Sequence, residues 1–131
     1  LGLERTTLEP LAAGVAKTMR IQLDPDAHPE QGSYFRSDHF NFAKAGIPAI
    51  NVEHGWLFAG HDAAYGEKLF NDFNDHHYHQ PSDEFDPHWD LSGAVQEGEL
   101  VLRLVEAVSN AAQMPKLLAG ESFSGAMAKA K

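Results

Sequence analysis

The hydrophobic positions of the chain fall into three stretches of different period. Near the start, Leu8, Leu11, Ala12, Val15, Ala16 and Met19 recur at steps of three and four residues, which is one apolar stripe of an α-helix. Thr6 and Glu9 have the spacing of a capping box. Pro10 falls in the first turn, where no backbone N–H is required. The pattern predicts a helix over 7–19. Ile21 and Leu23 fit a short strand that Pro25 and Pro29 interrupt. Residues 24–36 read as loop. Ser37 then has the character of an N-cap, Asp38 suits the positive first turn, and Gly46 is placed to end a short helix over 38–45.

The run Ile47-Pro48-Ala49-Ile50-Asn51-Val52 predicts a buried strand near 48–53, with its proline at the start, where a strand tolerates one. From His54 to Asp86 no period persists, and so long an irregular stretch in a compact domain is commonly a functional loop. Asp90 then caps a helix over 90–112. Its apolar positions Leu91, Val95, Leu102, Val105, Val108 and Ala112 keep helical spacing, and Pro115 ends it. Glu99 and Arg103 make a salt pair four residues apart on its wet side. Helix, short strand, helix, strand, loop and helix predict an α/β fold. Two or three strands make a thin sheet for three helices with apolar faces, so part of such a fold lies elsewhere. The expected division is a domain over 1–115 and a flexible tail, rich in Ala, Gly, Ser and Lys, over 116–131.

Composition narrows the chemistry. The chain has 131 residues, 43% of them hydrophobic, and no cysteine, which excludes disulfides, thiolate nucleophiles and thiolate metal ligands. Any metal must be held by histidine and carboxylate. The formal net charge of -9, from 19 acidic and 10 basic side chains, argues against nucleic acid as a partner, since that requires a basic surface. No apolar run approaches the roughly 20 residues that cross a bilayer. The chain opens on Leu1-Gly2-Leu3 rather than Met, which reads as a cut inside a longer protein whose targeting segment would lie upstream.

Two constellations can carry chemistry. Three of the eight histidines sit in Asp75-His76-His77-Tyr78-His79. Histidine is a common zinc ligand and neighbouring carboxylates can orient its ring; the same composition also suits a plain solvated loop. The spacing is not that of a helical His-Glu-x-x-His site. The second is Tyr34-Phe35-Arg36-Ser37-Asp38-His39-Phe40. Its Ser-Asp pair is a natural N-cap. It can equally present a hydroxyl and a carboxylate beyond the strand ends of an open sheet, where ligands bind. Tyr34 could donate a phenolic hydrogen bond to a developing oxyanion.

Taken together, the stretch from Tyr34 to Ala49 and the run Tyr78-His79-Gln80-Pro81-Ser82-Asp83-Glu84, followed by Trp89-Asp90-Leu91-Ser92-Gly93-Ala94, resemble metallopeptidase family 28. These are co-catalytic di-zinc aminopeptidases and their relatives. Order, spacing and intervening elements agree from about Leu3 to about Pro115. The resemblance implies the C-terminal portion of a zinc-peptidase (phosphorylase/hydrolase-like) three-layer α/β/α domain with a mixed sheet. It implies an enzyme that removes N-terminal residues from a peptide substrate with two zinc ions.

Residue by residue, the resemblance makes His79 a terminal zinc ligand and Tyr34 the hydroxyl that polarises the scissile carbonyl or stabilises the tetrahedral intermediate. Ser37 matches a hydroxyl close behind the metal site, and Asp83 a residue that fixes the turn presenting His79. His76 and His77 have no counterpart and read as loop residues. Trp56, Phe58 and Tyr65 fall where the family has variable loops near the substrate pocket, or pack against the core. The family's remaining ligands lie in a His-x-Asp motif, an Asp, a Glu-Glu pair and a further Asp upstream; this chain has no Glu-Glu, and its one His-x-Asp run, His88-Trp89-Asp90, comes after His79 rather than upstream. It is expected to be inactive alone and to self-associate through its open faces. Family members are often exported, which favours a periplasmic or secreted protein. The rival implication is a non-catalytic protein-interaction module on the same fold, as in the transferrin-receptor-like branch.

Overall fold

The computed structural model describes residues 1–124; residues 125–131, the far end of the expected tail, lie outside the described residues. Four α-helices follow in order: α1 (Glu9–Met19), α2 (His39–Lys44), α3 (Ala63–His76) and α4 (Ser92–Ser109), with short 3-10 turns at Leu3–Arg5, Pro29–Gln31 and Ser33–Phe35. The chain divides into two compact units. One comprises Leu1–Glu53 with the chain from Gln96 on, the other His54–Val95.

The expected α/β fold with a mixed sheet is overturned. Among the described residues there is no strand, and the one β-type pairing is an isolated antiparallel bridge between Thr6 and Leu117. The physical reason is visible at 47–52. This segment has the apolar composition of a strand, but a strand forms only where a neighbour completes its ladder of hydrogen bonds. The partner it finds is Leu1: the Leu1 amine donates to Asn51 O at 2.6 Å and Asn51 N to Leu1 O at 3.1 Å. With one paired residue no ladder propagates, and Ile47 stays exposed. The short strand at Ile21–Leu23 is likewise irregular backbone.

In the first unit, Leu8, Ala12 and Ala16 form the buried stripe of α1, at the positions the periodicity predicts. The capping box does not form. The helix starts at Glu9 after Leu8, while the Thr6 hydroxyl accepts the Leu8 N–H at 3.1 Å and donates to Leu3 O at 3.2 Å, one turn earlier. Thr6 is almost fully buried, so both bonds offset the cost of hiding its hydroxyl. The end of α2 follows expectation: Gly46, at φ +83°, sends its N–H to Ala43 O, and Ile47 N reaches Phe42 O, a Schellman motif.

Helix α4 departs from its predicted stripe. Leu100 and Leu104 are buried, while Val95, Leu102 and Val105 are exposed. The helix is apolar on two faces, and the core of this unit uses one of them. Residues 116–118 run beside the N-terminal turn: Thr7 N donates to Lys116 O, Lys116 N to the Thr7 hydroxyl, and Leu118 N to Arg5 O.

The second unit corrects the prediction that His54 to Asp86 lacks regular structure, because α3 occupies 14 residues of it. The Asp62 side chain caps the helix by accepting Tyr65 N at 3.1 Å. Gly66, the buried residue of α3, lets the helix approach the Trp56 backbone. Trp56 packs on Phe70 at 4.7 Å between ring centroids, and Phe58 on Tyr65 at 5.6 Å. These three aromatics thus serve local packing. None of the large hydrophobic residues of this unit is buried.

Candidate functional site

The two motifs singled out by sequence fall in different units. Tyr34 lies on the 3-10 turn Ser33–Phe35, which begins after Gly32 at φ +65°. Its ring is buried and meets three others edge-on: Phe35 at 5.3 Å, His39 at 4.8 Å and Phe40 at 5.8 Å. The Arg5 guanidinium stands 5.0 Å from the ring centre, within the range of a cation–π contact. Gly2 closes another side, so near that a Cβ there would overlap the ring. Burial pushes the Tyr34 phenol above its ordinary pKa; Arg5 opposes this, and Glu121 and Glu4 add to it. Tyr34 is therefore a protonated hydrogen-bond donor at neutral pH.

Ser37 and Asp38 precede α2 without capping it. Asp38 holds the cap position with helical backbone angles and makes no side-chain cap bond. The first turn closes instead through backbone bonds from Phe40 N to Ser37 O and from Asn41 N to Asp38 O, both 3.1 Å. Ser37 is half-buried and Asp38 exposed, so the local cap that the sequence offered is not what occupies either side chain. His39 follows with its Nε2 buried and without a hydrogen-bond partner among the described residues. Burial lowers the His39 pKa first, the Leu1 amine lowers it further, and Glu53 and Asp38 pull it back. The ring is neutral at neutral pH and packs as a flat apolar surface against Tyr34.

In the second unit, α3 ends at His76 and the chain turns through 77–83. His77 Nδ1 donates to Ser82 O at 3.1 Å, Ser82 Oγ donates to His76 O at 2.5 Å, and Gln80 N donates to His77 O at 2.8 Å. Asp83 enters the turn through its backbone N–H, which donates to Gln80 O at 3.0 Å. His79 sits at the tip with φ +57°. The left-handed region is sparsely used by residues other than glycine, and such positions persist where the surroundings enforce them. Its imidazole stacks on Tyr78 at 3.9 Å and is exposed. His77 and Ser82, set aside or unremarked in the sequence, thus hold the turn that presents His79. The signal for His77 was its position, the first residue after a helix end, where unsatisfied carbonyls gather; Ser82, six residues past that end, carried no local signal.

A zinc ion requires about three protein ligands. Among the described residues no group of three or more His, Asp or Glu side chains could hold a metal ion, so His79 and its neighbours do not by themselves make a zinc site. No described helix is long and apolar enough to cross a membrane.

Compared with known proteins, residues 2–105 match the family model described as Peptidase family M28. The match spans both motifs and all of α1, α2 and α3. No curated protein and no solved structure matches the chain.

Proposed function

The chain belongs to peptidase family M28, and from that premise we propose that it forms part of an aminopeptidase that hydrolyses N-terminal peptide bonds. Its two motifs supply two functions. Tyr34 donates a hydrogen bond to the carbonyl oxygen as negative charge develops there, and His79 contributes one imidazole towards a zinc site whose other ligands and general base come from upstream sequence. For Ser37 the proposed part is the supporting hydroxyl that the family resemblance implies.

The observation that carries this reading is the setting of Tyr34. A buried ring held on several sides, with a phenol that is protonated at neutral pH as any tyrosine's is, is prepared before substrate arrives. Preorganised donors of this kind lower barriers because they need no rearrangement during the reaction. The strained, outward-facing His79 fits a residue held for a ligand rather than for packing.

This chain alone offers one imidazole ligand and is proposed to be inactive. Its exposed apolar residues, among them Val95, Leu102 and Val105 on α4, fit surfaces covered in a larger domain, and in isolation they favour self-association. The test is His79→Ala in the full-length peptidase. Zinc content should fall and hydrolysis of an aminoacyl chromogenic amide should be lost, with the far-ultraviolet circular dichroism unchanged. Unaltered zinc content and activity would remove His79 from the site.

A further inference from the structure

Neither motif accounts for Arg5, a cation tied to a residue far along the chain. Its Nη1 donates to Glu121 Oε2 at 2.9 Å, and its Nε lies 3.4 Å from Glu4 Oε1 without hydrogen-bond geometry. That Nε is buried and has no hydrogen-bond partner among the described residues. A buried unpaired N–H is costly, so something else must favour this placement of the guanidinium. The aromatic pair beside it does: its central carbon stands 5.0 Å from the Tyr34 ring centre and 5.4 Å from that of Phe35.

The backbone around Arg5 is fixed as well. Arg5 N donates to Gly2 O, Arg5 O accepts from Leu118 N, and the adjoining Thr6 bridges to Leu117. Glu121 follows three residues after Leu118. The cation is therefore set by two chain segments that converge beside Tyr34 from distant parts of the sequence.

We propose that Arg5 is a positioning residue for Tyr34: held by Glu121, its guanidinium fixes the ring on its turn and supplies the cation nearest the phenol. This rests on Tyr34 acting as a hydrogen-bond donor, as proposed above. The charged and titratable groups facing the phenol are Arg5, Glu121, Glu4 and, edge-on, the neutral His39. Arg5 is the one among them that favours the phenolate. Removing it leaves two carboxylates and a buried ring, all of which favour the phenol. A planar guanidinium also stacks on aromatic faces in a way an ammonium does not.

The experiment has two arms. In this chain, with Tyr65→Phe and Tyr78→Phe leaving Tyr34 as the one tyrosine, phenolate absorbance is titrated for Arg5, Arg5→Gln, Arg5→Met and Arg5→Lys. The midpoint should rise with Gln and Met and return towards the parent value with Lys. Arg5→Met keeps the aliphatic stem and decides the matter if Arg5→Gln loses its helical circular dichroism. An unmoved midpoint in a folded neutral variant would overturn the proposal.

The second arm uses the full-length peptidase. Arg5→Gln should lower kcat roughly ten- to a hundredfold with little change in KM, the cost of a misplaced group. In a Tyr34→Phe background it should cost nothing further, because the two residues act as a unit. An undiminished loss in that background would overturn the proposal. A Tyr34→Phe enzyme with full activity would instead sink the donor role of Tyr34, while the titration still reads the Arg5–Tyr34 coupling.

Discussion

Gly2 and Tyr34 are in contact so close that a Cβ on Gly2 would lie 2.2 Å from Tyr34 Cε2 and 2.7 Å from Cδ2. Gly2 also holds φ +82°, which an L side chain adopts only with strain. Both constraints act on one residue that the sequence reading passed over, and both bear on the ring at the centre of the proposed site.

Gly2→Ala is therefore expected to destabilise the first unit by roughly 2–4 kcal/mol, adding left-handed strain to overpacking. A thermal melt followed at the α1 and α4 helical signal checks this. A melting temperature within a degree of the parent would show that Tyr34 is not held as described.

In the second unit Gly66 plays the corresponding part against Trp56, where a Cβ would come within 2.0 Å of the backbone oxygen. A backbone atom cannot swing aside as a flexible side-chain tip can. Gly66→Ala should cost roughly 1–3 kcal/mol and loosen the Trp56–Phe70 packing, seen as a red shift in tryptophan emission. The shift should survive in a Trp89→Phe background, which leaves Trp56 as the one reporter.

These two glycines mark how much of the molecule was legible beforehand. The face of α1 and the glycine stop of α2 followed from local spacing and turn chemistry. Helix α3 was also present in the pattern, since Tyr65, Leu69, Phe70 and Phe73 share one side after the Asp62 cap. The stripe is short, interrupted by Gly66 and surrounded by polar residues, so its period does not stand out from the flanking loop. The sheet was overestimated because 47–52 has strand composition, and composition cannot supply a neighbour. The arrangement of Arg5, Glu121 and Tyr34 was not readable at all: it joins residues 116 positions apart.

His39 gives a dependence on pH. Its folded pKa lies below the ordinary value of about 6.5 because burial and the Leu1 amine disfavour the imidazolium more than Glu53 and Asp38 favour it. On acidification the unfolded chain takes up this proton first. Stability from a neutral His39 is thus fully present above about pH 6.5 and is lost as pH falls towards the lowered folded value. Urea midpoints measured from pH 7.5 down to pH 5 should decline, and His39→Gln should decline less. Equal slopes for the two proteins would contradict this setting of the ring.

The second apolar face of α4 predicts association of the isolated chain. Leu102 is 59% and Val105 55% exposed, on the opposite side from the buried Leu100 and Leu104. Light scattering should show species larger than a monomer that shrink in Leu102→Lys/Val105→Lys. A monodisperse monomer of the parent chain at high concentration would count against the proposal that these faces are covered in a larger domain.

The central claim is that the Tyr34 hydroxyl acts on the reacting carbonyl, and kcat of Tyr34→Phe in the full-length peptidase tests it most directly. The substitution removes one oxygen and keeps the ring that Arg5, Gly2, Phe35, His39 and Phe40 hold in place. The account predicts a fall in kcat of roughly ten- to a thousandfold, the range for losing one oxyanion donor, with zinc content unchanged. A kcat equal to that of the parent enzyme would contradict it.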